Sequence, residues 1–278
     1  MKHIFLNLKR FDVPVEYGGV NRLAPIDEWG AYIVRSTQEA LRRYRPDEVE
    51  FVQYFPEAHL IGAVSARSDG SPVQIGCQGV YRMSTAAGGN FGAFTTNRPV
   101  SAMRALGVRS VLIGHCEERM DKLGILAEAG AADTVAVSRI LNQEVREAIA
   151  GGLSVLYCIG EDTADQERWQ EVLEEQLEVG LRGVERSRIT IGYEPIWSIG
   201  PGKRPADQAY ITKVARFIKE KTGGMPVVYG GGLREDNAEM LSSIAEIDGG
   251  LIALTRFQGE VGFYPDEYIK IIRAYLGK

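Results

Sequence analysis

The stretch SVLYCIGEDTADQERWQEVLEEQLEVGLRGVERSRITIGY, residues 154–193, decides the architecture. It opens on Ser154–Ile159, an apolar run too short for a helix and rich in residues that suit a strand. Trp169–Leu181 follows with helical spacing: Val172, Leu173, Gln176, Leu177 and Gly180 form one stripe, and Glu171, Glu174, Glu175 and Glu178 stand outside it. Ile189–Tyr193 is a second strand-like run. Strand, helix, strand within this length predicts a parallel crossover unit. Outward from it, similar runs recur at His3–Asn7, Val49–Tyr54, Val73–Cys77, Ser110–Gly114, Val227–Gly230 and Gly250–Leu254. Tyr210–Lys221 repeats the amphipathic pattern through Ile211, Val214, Ala215 and Ile218. Eight strands alternating with helices predict an α/β fold closed as a (β/α)8 barrel. An open doubly wound sheet is the alternative, and the lack of Gly-x-Gly-x-x-Gly after the first run counts against it.

At 278 residues the chain reads as one barrel domain spanning 1–278, because no linker divides it. A hydrophobic share of 45% and a charged share of 25% are those of a globular chain with ample core, needing no metal or disulfide staple. Cys77, Cys116 and Cys158 cannot all pair and none lies in a Cys-x-x-Cys spacing, so a reduced, cytoplasmic setting is expected. The net charge of −5 arises from scattered residues, with no basic block for nucleic acid or an anionic membrane. Ile4-Phe5-Leu6 is interrupted at once by Asn7, Lys9 and Arg10, which argues against a signal peptide. No apolar run approaches the ~20 residues that span a bilayer. Met83–Asn97 has loop composition throughout and follows the third strand directly; so long a loop predicts a functional or interface element.

In such barrels chemistry gathers at the C-terminal ends of strands. Those ends carry Asn7-Leu8-Lys9, Gly114-His115-Cys116-Glu117, Tyr193-Glu194-Pro195 and Tyr229-Gly230-Gly231-Gly232. Each has an ordinary explanation: a surface lysine, a structural histidine, a strand-ending glutamate, a tight turn. Together at one mouth they supply a cation, an imidazole, a carboxylate and amides able to face an anion.

The segment Gly192-Tyr193-Glu194-Pro195-Ile196-Trp197-Ser198-Ile199-Gly200-Pro201-Gly202-Lys203 resembles the base-and-lid signature of the triosephosphate isomerase family. Asn7-x-Lys9, Gly92-Ala93-Phe94-Thr95, Ile113-Gly114-His115-Cys116-Glu117, Cys158-Ile159-Gly160-Glu161 and Tyr229-Gly230-Gly231 match in order. The resemblance implies a TIM barrel and an aldose–ketose isomerase acting on a small phosphorylated sugar, by default the triose phosphates, without metal or organic cofactor. It implies Glu194 as proton-transferring base and His115 as a neutral imidazole polarising the carbonyl. A helix starting just after His115 would disfavour the imidazolium, and this family is itself a familiar example of that tuning. Lys9 would stabilise the enediolate, Asn7 orient the substrate and Glu117 pair with Lys9. Pro195, Ile196, Trp197, Ser198, Ile199, Gly202 and Lys203 would form the lid. Gly200, Gly231 and Gly232 would offer amides to the phosphate, and Thr95 would enter a neighbouring subunit, implying a homodimer.

The chain departs from the family where the phosphate is bound. Pro201 replaces the usual lid threonine, and Arg204-Pro205-Ala206 makes a short hinge. Gly232 replaces a serine, and Ala253-Leu254-Thr255-Arg256 stands where the family has paired glycines. Arg256 is a candidate replacement cation. Gln78–Gly92 is longer than the family's interface loop, chiefly near Met83–Asn90. Glu118–Ser138 holds an insertion, and Glu118 takes the place of an arginine. Two alternatives therefore stand beside the triose phosphates: the same chemistry on a ketose phosphate such as a tetrulose phosphate, and a non-catalytic phosphosugar-binding barrel.

Overall fold

The computed structural model describes residues 1–199, 203 and 205–277. The strands are β1 (Lys2–Asn7), β2 (Val49–Phe55), β3 (Val73–Cys77), β4 (Ser110–Ile113), β5 (Ser154–Ile159), β6 (Ile189–Tyr193), β7 (Val227–Tyr229) and β8 (Gly249–Ile252). They pair in parallel in chain order, and β1 also pairs with β8, Ile4 opposite Gly250. That last pairing closes the barrel and rules out the open sheet. The helices are α1 (Trp29–Leu41), α2 (Leu60–Ser65), α3 (Val100–Ala105), α4 (Cys116–Glu128), α5 (Thr134–Ala150), α6 (Trp169–Gly180), α7 (Gln208–Thr222), α8 (Ala238–Ser242) and α9 (Pro265–Leu276).

Strand alternation divides the core in two. Phe5, Val52, Tyr54, Leu112, Leu156, Cys158, Val228 and Leu251 point inward and fill the barrel. Their neighbours, such as Ile4, Leu6, Phe51 and Ile113, point outward against the helices. On α6, Trp169, Leu173, Leu177 and Gly180 are buried, while Gln176 is only half-buried. The Gln176 amide is a bracket: it accepts from Gly160 N and donates to Gly160 O, both at 2.9 Å. Local signals start and stop the longer helices. Asp133 caps α5 through Ala136 N at 3.1 Å and Asp207 caps α7 through Tyr210 N at 2.8 Å. Left-handed Gly223 and Gly277 close α7 and α9.

Three strands end earlier than the sequence predicts. Gly114 turns left-handed at φ +81°, ending β4 at Ile113. Gly230 N turns to Tyr193 O at 2.6 Å after β7. Strand β8 ends at Ile252, so Ala253 and Leu254 lie beyond it. Past that point the chain doubles back through an antiparallel bridge between Arg256 and Gly262, before α9. The two long regions differ in kind. Residues 78–99 carry neither helix nor strand. The insertion Glu118–Thr134 forms most of α4 and its link to α5, and no residue of α4 is buried.

Candidate active site

The β1 end sets the first wall. Asn7 Oδ1 accepts from Lys9 N at 3.1 Å and from Gln78 Nε2 at 3.2 Å, and Gln78 Nε2 also donates to Lys9 O at 3.1 Å. These bonds hold Lys9 at φ +41°, a conformation that costs a non-glycine residue energy and recurs where function needs it. Lys9 Nζ lies 3.8 Å from Glu117 Oε2. With 67% of the Glu117 side chain exposed, that pair adds little to stability and serves to aim the ammonium.

The β4 end supplies the imidazole. His115 is the N-cap of α4, and its Nδ1 accepts from Glu117 N at 3.2 Å. The ring proton is thereby placed on Nε2, which points at Glu194 Oε1 at 3.2 Å. Glu194 Oε2 accepts from Cys116 N at 3.0 Å. Glu194 is 2% exposed, and this burial raises its pKa against the opposing pull of His115, the Cys116 amide, Lys9 and Arg119. Burial beside Glu194 pushes the Cys116 thiol up to about 12. Asn7, Lys9, Gln78, His115 and Glu117 line one cavity of about 370 Å³. The space for Glu194 depends on a glycine: a Cβ at Gly160 would stand 1.9 Å from Glu194 O.

The segment after Glu194 is anchored just past β5. Glu161 Oε1 accepts from Tyr193 OH at 2.9 Å, Trp197 Nε1 at 2.7 Å and Tyr210 OH at 3.0 Å. Ile196 N bonds Glu161 O at 3.0 Å, the buried Ser198 Oγ donates to Pro195 O at 3.1 Å, and Lys203 Nζ reaches Ile196 O at 3.1 Å. Ile199 follows in extended conformation. Gly200 and Gly202, with Pro201 and Arg204, lie outside the described residues.

At the other side of the mouth, a Cβ on Gly231 would meet Tyr229 OH at 2.2 Å. Gly232 has open space beside it but a φ of +97°, so a serine there would fit sterically and be strained in its backbone. Arg256 faces α9: it bonds Glu267 Oε1 through Nε at 2.9 Å and lies over the Tyr264 ring at 3.9 Å. Thr255 Oγ1 donates to the same Glu267 at 2.9 Å. Arg234, two residues past Gly232, lies over Phe257 at 5.3 Å. Thr95 is exposed on the 78–99 segment and does not line the cavity that holds His115.

The structure thus gathers Asn7, Lys9, His115, Glu117 and Glu194 and sets Arg256 against a helix. Sequence reasoning misses Gln78 and Glu161 as site residues, although both follow the rule that identifies the others: each directly follows a strand or its last turn, β3 and β5.

A family model described as "Triosephosphate isomerase" matches residues 30–274. The triosephosphate isomerase of Rhodopirellula baltica is 30% identical over 261 residues, 89% of this chain and 92% of that protein. That of Leptospira interrogans is 29% identical over 237 residues, 80% of this chain and 86% of that protein. The crystal structure of the Bartonella henselae triosephosphate isomerase superposes with a TM-score of 0.72 at 22% identity, covering 99% of each chain.

Proposed function

The chain belongs to the triosephosphate isomerase family, and from that premise we propose that it interconverts dihydroxyacetone phosphate and glyceraldehyde 3-phosphate. The observation that carries the reading is the buried Glu194 carboxylate against the His115 Nε2 proton, beside Lys9. One N–H cannot serve two acceptors at full strength. A substrate carbonyl bonding His115 therefore displaces Glu194, freeing the carboxylate to take a proton from the adjacent carbon. Negative charge then grows on the carbonyl oxygen, where His115 and Lys9 stabilise it. Glu194 returns the proton one carbon over. The Oδ1 of Asn7 is committed to Lys9 and Gln78, which leaves its Nδ2 hydrogens to orient a substrate oxygen. Glu117 steers Lys9 and fixes the His115 tautomer. Proton transfer of this kind needs no metal or organic cofactor.

The lid, Pro195–Lys203, closes over this site from the Glu161 anchor and excludes water that would destroy the enediolate. Gly200, Gly231 and Gly232 offer amides to the phosphate, and the Arg256 hairpin completes that end. We read residues 1–278 as one domain, acting as a cytoplasmic homodimer in carbohydrate metabolism, in glycolysis and gluconeogenesis. The dimer is supported by exposed Met83 and Phe91 on the long segment that carries Thr95, and by exposed Val15 and Tyr17 in the segment after Lys9. Light scattering of Phe91→Asp should show a shift to monomer; an unchanged mass removes this surface from the interface.

One observation favours a longer ketose phosphate such as a tetrulose phosphate: past β8, where the family has paired glycines, the chain doubles back through the Arg256–Gly262 bridge. A non-catalytic phosphosugar-binding barrel would have no use for a buried base. Incubation with three- to six-carbon sugar phosphates in deuterated water, followed by NMR, separates the readings. Exchange and aldose–ketose conversion on triose phosphates is the expected result. Exchange on a four-carbon substrate alone moves the assignment there, and exchange on none overturns isomerase chemistry.

A further inference from the structure

We propose that His115 Nε2, Cys116 Sγ and one Glu194 carboxylate oxygen form a site for a thiophilic divalent cation of the zinc class, which occupies both proposed proton-handling groups and blocks the enzyme reversibly. The three donor atoms lie within 4.8 Å of one another. Nε2 is 3.2 Å from Glu194 Oε1 and 4.0 Å from Cys116 Sγ. Tetrahedral zinc, with bonds of about 2.0–2.1 Å to nitrogen or oxygen and about 2.3 Å to sulfur, separates its ligands by about 3.3–3.6 Å. The nitrogen–oxygen pair already has that spacing; the sulfur, which rests nearer Nδ1 at 3.7 Å than Nε2 at 4.0 Å, enters the sphere by rotation of the Cys116 side chain toward Nε2. Nitrogen, sulfur and oxygen donors together suit zinc better than magnesium or calcium, which prefer oxygen alone. Three protein ligands leave a fourth position for water.

A second, independent feature is the carboxylate behind the ring. A histidine bound to metal through Nε2 carries its proton on Nδ1 and hands it to an acceptor, most often a carboxylate or carbonyl. His115 Nδ1 has Glu117 Oε2 at 3.3 Å. Metal binding thus moves the ring proton from Nε2 to Nδ1, turns Nδ1 from acceptor of the Glu117 amide to donor toward the Glu117 carboxylate, and releases the Cys116 thiol proton to solvent. The Cys116 thiol is reachable from a cavity that His115 and Glu194 do not line. Cys116 lines a cavity of about 350 Å³ bounded by Arg119 and Leu123 of α4, Asp162, Gln176 and Ile196. The other two cysteines are fully buried, so Cys116 is the thiol a cation meets.

The site itself does not depend on the isomerase assignment; only the inhibition does. The test titrates the full-length protein with Co²⁺ and records thiolate-to-cobalt charge-transfer absorption and the intense visible bands of tetrahedral cobalt. Both are expected to saturate at one ion per chain and to disappear when Zn²⁺ is added. Cys116→Ser should abolish the charge-transfer band and weaken Zn²⁺ binding at least about tenfold. Glu117→Ala, which removes the acceptor behind the ring, should keep the band and weaken binding by about 10–100-fold. X-ray absorption of the zinc-loaded unmodified protein, needing no variant, should show one sulfur among the ligands. A shell of nitrogen and oxygen alone, or a charge-transfer band that survives Cys116→Ser, overturns the proposal.

Discussion

Glu194 works against its own surroundings. Burial favours the protonated acid, and a base acts only when ionised. The sign follows directly: as pH falls through the raised pKa, activity is lost, and it is lost at a higher pH than for an exposed glutamate. The acid limb of log kcat/KM should sit above the ordinary carboxylate range, and a limb within that range would count against Glu194 as the base. Glu194→Asp retracts the carboxylate by one methylene, and a misplacement of ~1 Å costs on the order of 100-fold in turnover with much less effect on KM. Near-wild-type turnover in Glu194→Gln would sink the assignment. Arg256 makes a subtler case. Its charge is spent on Glu267, so the proposed role in phosphate binding would have to run through the hairpin it anchors. Arg256→Ala and Glu267→Gln are both expected to raise KM severalfold with kcat nearly kept. A lowered KM in Glu267→Gln would show instead that the freed guanidinium reaches the anion, and unchanged KM in both would remove the hairpin from the site.

At the level of elements, the strands are legible in the sequence and the inserted helix is not, for a physical reason. Runs such as Ser154–Ile159 are buried on both faces and so read as continuous apolar stretches. Helix α4 has no fully buried residue, only half-buried ones such as Leu123 and Leu126 against the core, and its weak apolar stripe leaves the sequence with little of the periodicity that marks a helix. An electrostatic cluster adds to the packing of Leu123 and Leu126 in holding α4. Lys122 Nζ lies 2.9 Å from Glu118 Oε1 and 3.1 Å from Glu144 Oε1 on α5, and Glu118 Oε2 accepts from Gly114 N at 2.6 Å. Burial disfavours both carboxylates. Lys122, a bond from Glu144 and the Gly114 amide bring Glu118 below its usual range, whereas burial and the Glu118 charge push Glu144 up to about 8. The i,i+4 spacing of Glu118 and Lys122 can be read from sequence, but the Glu144 partner arrives only through packing. For Glu144 the folded pKa exceeds the unfolded one, so its stabilising proton is fully in place below about 4.5 and is lost as pH rises through about 8. Thermal unfolding between pH 6 and 9 should show Tm falling with pH. Glu144→Gln should flatten that slope and raise Tm at pH 9; an unaltered slope would mean Glu144 is already ionised at neutral pH.

Across the whole molecule, the site is legible because one rule of barrel geometry brings distant residues to one rim. Asn7, His115 and Glu194 lie far apart in sequence, and each ends or follows a strand whose place in the barrel the alternation of strands and helices predicts. What cannot be read are contacts made by tertiary approach: Gln78 against Lys9, Glu161 gathering three aromatic donors, Arg256 turned onto α9. The Glu161 cluster has an optical consequence. Of the three tryptophans, Trp29 and Trp169 are buried in the helix-packed core, and only Trp197 is partly exposed, with its indole N–H on a carboxylate. An indole's emission shifts with the charge and water around it. Trp29 and Trp169 are shielded from water, so the solvent-sensitive part of the protein's fluorescence comes from Trp197, three residues past Glu194. Glu161→Gln would alter that colour first at Trp197, and a stopped-flow trace on adding substrate would time movement of the segment after Glu194 in an unlabelled enzyme.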